Sequence, residues 1–243
     1  MLSEKPWKPE AVLRLGLGIF VSLCAGMLSL GVLQMLWSNL GKTETNFATF
    51  LIGMTFCQGA ALVWIHFFLR SHWVGWREAF GFSEGSRKRA LAHGALAMLV
   101  VLPAAGLLGK AAELALTRLG IKPELQLPVQ MLRNGPPLGQ LLCYGAGAML
   151  LAPVAEEMLF RGILYPTLKQ SGHRQLAMWV TSMLFASTHT NLMAFVPLTF
   201  LALVLTWLYE RTGNLLAPIA THVLFNTVNF ALLVIQPSWV KAG

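Results

Sequence analysis

Long runs of apolar residues, separated by short polar stretches, make up most of the chain. Most of these runs are long enough for a membrane helix, because about 20 helical residues cross the hydrocarbon core of a bilayer. We predict an all-α, polytopic membrane helix bundle of about seven or eight transmembrane helices. The predicted helices are 11–37, 47–69, 90–116, 138–168, 175–190, 194–210 and 215–235. The runs at 175–190 and 194–210 are short for a full crossing, so we expect tilt or partial re-entry there.

Two polar stretches interrupt the apolar pattern. Residues 70–89 are basic and contain several aromatic side chains, which is typical of a segment in the membrane interface. Residues 120–137 are rich in proline and glycine, which indicates a connector. We therefore predict one integral membrane domain over 1–243, with N-terminal helices and a basic loop over 1–137 and a second part over 138–232.

Composition agrees with the membrane class. Hydrophobic residues make up 56% of the chain and charged residues only 12%, whereas soluble domains carry about 25% charged residues. The basic residues form no single stripe, so the net charge of +8 indicates positive-inside bias rather than nucleic-acid binding. With the N-terminus inside, the inside segments hold 12 basic residues and the outside segments 6, and the densest cluster is Arg87 to Arg89, so we predict a cytosolic N-terminus. We expect the protein to lie in the cell (inner) membrane.

The cysteines and the acidic residues narrow the chemistry. Cys24, Cys57 and Cys143 lie in apolar runs without metal-type spacing, which argues against disulfides and against a cysteine zinc site. All ten acidic residues are glutamates. The absence of aspartate excludes an aspartyl protease dyad or a Ser-His-Asp triad built within this chain.

Ionisable residues inside the apolar runs are candidate functional residues, because charges at membrane depth are costly. They form three short motifs in the second half of the chain. The motifs are Glu156-Glu157-x-x-x-Arg161, Phe185-x-x-x-His189 and His222-x-x-x-Asn226.

Helical geometry predicts how the first motif is divided. Glu157 precedes Arg161 by four residues, which is the favourable order for an ion pair along one helix. Glu156 points about 100° away and therefore faces a different neighbour. In the second and third motifs the two residues are also four apart, so each pair projects from one helix face.

The three motifs, in this order, resemble those of the CPBP intramembrane protease family, also called the Abi or CAAX amino-terminal protease family. This family includes the type II CAAX prenyl endopeptidases. Its pattern is EExxxR, then FxxxH, then HxxxN, and the segments "EEMLFRG", "FASTH" and "HVLFN" match it. The resemblance covers roughly residues 138–232 and marks that part as the catalytic core. It implies a helix bundle with a polar catalytic cavity toward the cytosolic side.

The resemblance also implies a role for each motif residue. Glu156 would activate a water molecule with the assistance of His189, and His222 and Asn226 would steady the oxyanion. The residue chemistry agrees, because a poorly hydrated carboxylate is suited to act as a base and N–H groups stabilise a developing oxyanion. The residues expected to give structural support are Glu157, Arg161 and Phe185.

A metal cofactor is left open by the sequence. Glu156, His189 and His222 are candidate ligands for a divalent metal such as zinc, and the resembled family is often called a metalloprotease family. The chain has no HExxH motif, and the three candidates lie on three separate predicted helices. We therefore favour glutamate-activated water without a cofactor.

The sequence thus predicts an intramembrane endopeptidase that cleaves a membrane-anchored peptide or protein, with lipidated CAAX-type substrates among the candidates. Two alternatives stay open. One is a non-enzymatic membrane partner or immunity-type protein. The other is a proton- or cation-coupled transporter in which Glu156, His189 and His222 form a relay. The lack of an inverted repeat counts against the transporter.

Overall fold

The structure is a computed structural model that describes residues 2–36, 42–122, 127–133 and 135–235. No strand occurs in these ranges, so the all-α prediction is confirmed. The helices are α1 (Pro9–Leu36), α2 (the consecutive segments Lys42–Gly53, Met54–Gly59 and Ala60–Ser71), α3 (Trp76–Ala79), α4 (Arg87–Arg118), α5 (Leu127–Arg133), α6 (Leu138–Ala146, Gly147–Leu151, Ala152–Glu157, Met158–Leu164 and Tyr165–Lys169), α7 (Arg174–Ser187), α8 (Leu192–Thr212) and α9 (Leu216–Ile235).

Six of the described helices are long and apolar enough to cross a membrane, namely α1, α2, α4, α6, α8 and α9. Many of their large apolar side chains point outward, including Leu13, Leu99 and Leu107. Outward-facing apolar side chains are expected where a helix bundle contacts lipid. The protein is therefore a polytopic integral membrane protein, and the number of crossing helices is close to the predicted one.

Helix α7 is shorter than predicted. The expected helix at 175–190 ends at Ser187, and its 14 residues are too few for a full crossing. The chain turns at Thr190, which has a φ of 47°, and Asn191 then caps α8 by accepting a hydrogen bond from the backbone N–H of Ala194 at 2.9 Å. His189 consequently lies in the turn after α7 rather than on the helix.

The two predicted polar stretches also contain helices. The connector at 120–137 includes α5, while residues 123–126 and 134 lie outside the described residues. Residue 37, at the end of the first predicted helix, lies outside them as well. In the basic loop, Phe80 is fully buried instead of lying in the interface, and its ring packs where a side chain on Gly162 of α6 would be. The loop is thereby tied to α6.

Within the described residues, three π-helical segments interrupt the long helices. One is Met54–Gly59 in α2, and the others are Gly147–Leu151 and Met158–Leu164 in α6. A π segment holds one extra residue and disturbs the i→i−4 hydrogen bonds, so backbone carbonyls become available to side chains. Two such carbonyls are used. Asn226 donates to Ala148 O at 2.8 Å, and the Trp7 indole donates to Gly162 O at 3.0 Å.

Helix α6 occupies the position that brings the three motifs together. It packs against α2, α7, α8 and α9, while α4 covers α8 and α9. Phe160 of α6, Phe185 of α7 and Ala202 of α8 form a small apolar cluster at this junction. The motifs carried by α6, α7 and α9 are therefore neighbours in space.

The crossing of α4 and α9 yields a test of the packing. A Cβ placed on Gly94 would lie 2.5 Å from the carbonyl oxygen of Ala217, whereas one on Gly106 of the same helix has nothing within 4 Å. We expect Gly94→Ala to lower the free energy of unfolding by about 1–3 kcal/mol through overpacking. Gly106→Ala should be neutral, or stabilising by up to about 1 kcal/mol. Thermal unfolding in detergent measures both, and equal unfolding temperatures would contradict the crossing.

Candidate active site

A buried ion pair lies at the centre of the site. Glu157 and Arg161 are both fully inaccessible to solvent, and Arg161 Nη1 donates to Glu157 Oε1 at 2.7 Å. The ion pair predicted from the four-residue spacing is therefore confirmed. Arg161 also donates to the carbonyl oxygen of Ala202 on α8 at 3.3 Å. These contacts offset the cost of holding two charges away from water.

Glu157 also holds His222 of α9. His222 Nδ1 lies 2.8 Å from Glu157 Oε1, the same oxygen that Arg161 contacts. The ionised carboxylate of Glu157 can only accept a hydrogen bond, so Nδ1 carries the proton. The Nε2 atom of His222 is then directed toward Glu156, with 3.8 Å between Nε2 and Glu156 Oε2. Glu157 thus orients a histidine in addition to pairing with the arginine.

Glu156 is the more accessible of the two glutamates, with 18% of its side chain exposed. Its Oε1 accepts a hydrogen bond from Gln58 Nε2 at 3.1 Å. Gln58 lies on the π segment of α2. It was not among the predicted site residues, because it is neither ionisable nor part of one of the three motifs. The available signal was a lone amide side chain within the apolar run "LIGMTFCQGAALVW".

The ring of Phe185 joins the second motif to the rest of the site. The ring is fully buried, and the guanidinium carbon of Arg161 lies 4.5 Å from its centroid, in cation–π geometry. The rings of His189 and His222 have centroids 4.9 Å and 5.7 Å from it. His189 Nδ1 lies 2.9 Å from the carbonyl oxygen of Phe185, which fixes the orientation of the imidazole. Phe185, which was predicted to give structural support, therefore contacts the side chains of Arg161, His189 and His222.

Asn226 contacts the backbone of α6. Its Nδ2 donates one hydrogen bond to Ala148 O at 2.8 Å, so one of its two amide N–H groups is committed to the first π segment of α6. The predicted oxyanion role of Asn226 stays a prediction.

The three candidate metal ligands do not form a metal site in this arrangement. Within the described part of the chain, no three His, Cys or Glu side chains are grouped so that they could hold a metal ion. Glu156 and His222 approach each other, but the contacts of His189 are with Phe185. A zinc site normally requires at least three protein ligands, so we derive no step through a metal.

Two cavities lie elsewhere on the described surface. One, of about 380 Å³, lies between α1 and α2 and is lined by Lys8, Arg14 and Trp64 among others. The other, of about 270 Å³, is lined by residues that include Lys5 and Glu84. Neither includes a motif residue, so the polar catalytic cavity stays a prediction.

The fold and the site define a polytopic membrane protein with a buried Glu–Arg–His centre built from separate helices. Residues 138–228 match the family model described as type II CAAX prenyl endopeptidase Rce1-like. The match confirms the family resemblance of the three motifs and covers all of them.

Two proteins of Bacillus subtilis (strain 168) are similar to parts of the chain. The uncharacterized protein YpbD is 34% identical over 83 residues, which is 32% of this chain and 40% of YpbD. YdiL, described as a putative membrane peptidase, is 28% identical over 78 residues, which is 32% of this chain and 32% of YdiL. The similarity thus spans less than half the length of each relative. No solved structure matches the chain.

The buried pair makes a prediction about stability. Glu157→Gln removes the charge that balances Arg161 and weakens the contact with His222, so we expect it to lower the free energy of unfolding by about 3–5 kcal/mol. Glu113→Gln is the matched control, because Glu113 forms an exposed pair with Lys110 at 2.9 Å. Such exposed pairs contribute little, and the control should unfold like the unmodified protein. Equal unfolding curves for the two variants would contradict the central role of Glu157.

Proposed function

We propose that this protein is an intramembrane endopeptidase in which Glu156 activates a water molecule to cleave a membrane-anchored substrate. The observation that carries the proposal is the approach of Glu156 Oε2 to His222 Nε2, at 3.8 Å, beside a buried ion pair. The Rce1-like domain and the membrane peptidase relative support the same class of reaction.

The 3.8 Å distance suits a shared water molecule. It is too long for a direct hydrogen bond, and a water beside the gap can contact both atoms. Glu156 takes a proton from this water while the water oxygen bonds to the carbonyl carbon of the scissile peptide. The resulting tetrahedral intermediate collapses when the protonated Glu156 gives that proton to the leaving amine, and the C–N bond breaks.

The other motif residues arrange this chemistry. His222 donates from Nδ1 to Glu157, so its Nε2 accepts a hydrogen bond from the water and carries no proton for the oxyanion. The proposal therefore gives His222 the role of holding the water, in place of the oxyanion role that the family resemblance implies. His189 is held through Nδ1 by the backbone of Phe185, which leaves its Nε2 to assist with the proton. The second amide N–H of Asn226 is the proposed donor to the oxyanion, in the role of an oxyanion-hole group.

The proposed substrate is a membrane-associated peptide or protein, with a lipidated CAAX-type chain as the first candidate. The family description and the six membrane-crossing helices support this choice. We further propose that the protein lies in the cell (inner) membrane with its N-terminus on the cytosolic side. The reason for this orientation is that the densest basic cluster lies in the loop before α4.

Substitution of the motif residues tests the proposal. Purified protein should cleave a fluorogenic peptide that carries a prenylated cysteine near its carboxyl end. Glu156→Gln and His189→Ala should each lower kcat/KM by about 10²–10⁴-fold, because each removes a group that handles a proton in the transition state. The unfolding temperatures should stay unchanged, and the exposed Glu113→Gln should cleave at the unmodified rate.

Cleavage at unmodified rates by both motif variants would overturn the site assignment. If the unmodified protein carries protons into liposomes and Glu156→Gln abolishes this flux, the transporter is favoured instead. Neither cleavage nor flux in the unmodified protein would favour a non-enzymatic membrane partner.

Metal removal provides a separate test. Because Glu156 and His222 can activate water without a metal ion, we expect cleavage to persist after treatment with a chelator. Elemental analysis of the purified protein should find no stoichiometric zinc. Stoichiometric zinc that is lost together with activity would contradict the metal-free mechanism.

A further inference from the structure

The first half of the chain, which lies outside the matched residues 138–228, contributes the side chain of Gln58 to the site. The amide of Gln58 on α2 donates to Glu156 Oε1 at 3.1 Å, across 98 positions of sequence. We propose that Gln58 is a positioning residue that holds the Glu156 carboxylate in its reactive orientation. This inference rests on the proposed function, because it assigns Gln58 a part in the same reaction.

The two oxygens of Glu156 face different helices. Oε1 accepts the hydrogen bond from Gln58 on α2, and Oε2 is directed toward His222 Nε2 on α9. A free glutamate side chain samples several rotamers, whereas a carboxylate fixed at one oxygen presents the other in a defined direction. A base held in this way needs less reorganisation during the reaction.

The backbone of α2 explains why Gln58 reaches Glu156. Gln58 lies on the π segment Met54–Gly59, and this segment packs against the part of α6 that carries Glu156. A π segment changes the direction of the side chains that follow it relative to a regular α-helix. The irregular turn in α2 therefore lies at the point where the helix contacts the proposed base.

The chemistry of an amide suits this position. Gln58 is uncharged and half-buried within an apolar run, so it supplies a donor without neutralising the carboxylate as a lysine would. An unpaired amide in such surroundings is costly, which favours retention of the contact with Glu156. The side chain holds the base and leaves its charge in place.

Gln58→Met tests the proposal, because methionine has a similar length and lacks the donor. We expect kcat to fall about 10–100-fold with KM changed less than about threefold, since a small displacement of a catalytic group has effects of this size. Gln34→Met is the matched control, because Gln34 is an exposed glutamine on α1. The control should keep both kinetic constants. An unchanged kcat in Gln58→Met, with active unmodified protein, would overturn the inference and leave the proposed function intact.

An infrared measurement tests the hydrogen bond between Gln58 and Glu156 and does not require that the protein be enzymatically active. The carboxylate stretching band of Glu156 is identified as the band that Glu156→Gln removes. We expect this band to shift in Gln58→Met and to stay in place in Gln34→Met, because loss of a donor changes the carboxylate stretch. A purely helix-joining role would lower the unfolding temperature of Gln58→Met without moving the band, and that result would contradict the inference. If the unmodified protein cleaves nothing, the proposed function fails, and the band still shows whether Gln58 holds Glu156.

Discussion

One oxygen of Glu157 is shared by Arg161 and His222, and the rest of the site depends on that shared contact. A buried carboxylate without a partner is costly by several kcal/mol, and so is a buried guanidinium. Arg161 balances the carboxylate from within α6, whereas His222 reaches the same oxygen only when α6 and α9 keep one relative register. That register also places His222 Nε2 near Glu156. The approach of His222 to the proposed base is therefore a consequence of its contact with the neighbouring carboxylate.

The π segments link the helix backbones to this arrangement. Each of the three that lie in the described residues takes part in at least one contact at or beside the site. The segment in α2 carries Gln58, and those in α6 present the carbonyls of Ala148 and Gly162 to side chains from elsewhere. Regular α-helices would have used these carbonyls within the helix. The irregular turns allow helices from both halves of the chain to be tied to α6.

The sequence predicted what is local and missed what depends on register between helices. The apolar runs predicted the crossing helices, and the spacing of Glu157 and Arg161 predicted their ion pair because both lie on one helix. Gln58 and Glu156, or His222 and Glu157, meet only after helices pack, and a periodicity of 100° per residue carries no information on that packing. The π segments were missed for a related reason, since hydrophobic periodicity assumes regular helices.

The π segment Met158–Leu164 also bears on how this protein could change over evolution. Arg161 lies inside the segment, and its partner Glu157 lies immediately before it. Loss of one residue between them would rotate the following helix by about 100° relative to Glu157, together with the Gly162 carbonyl that the Trp7 indole contacts. Substitutions at lipid-facing positions of α6 leave this rotation unchanged. Helix α6 should therefore tolerate substitutions more readily than insertions or deletions. The EExxxR motif is thus a constraint on the number of residues between its side chains as well as on their identity.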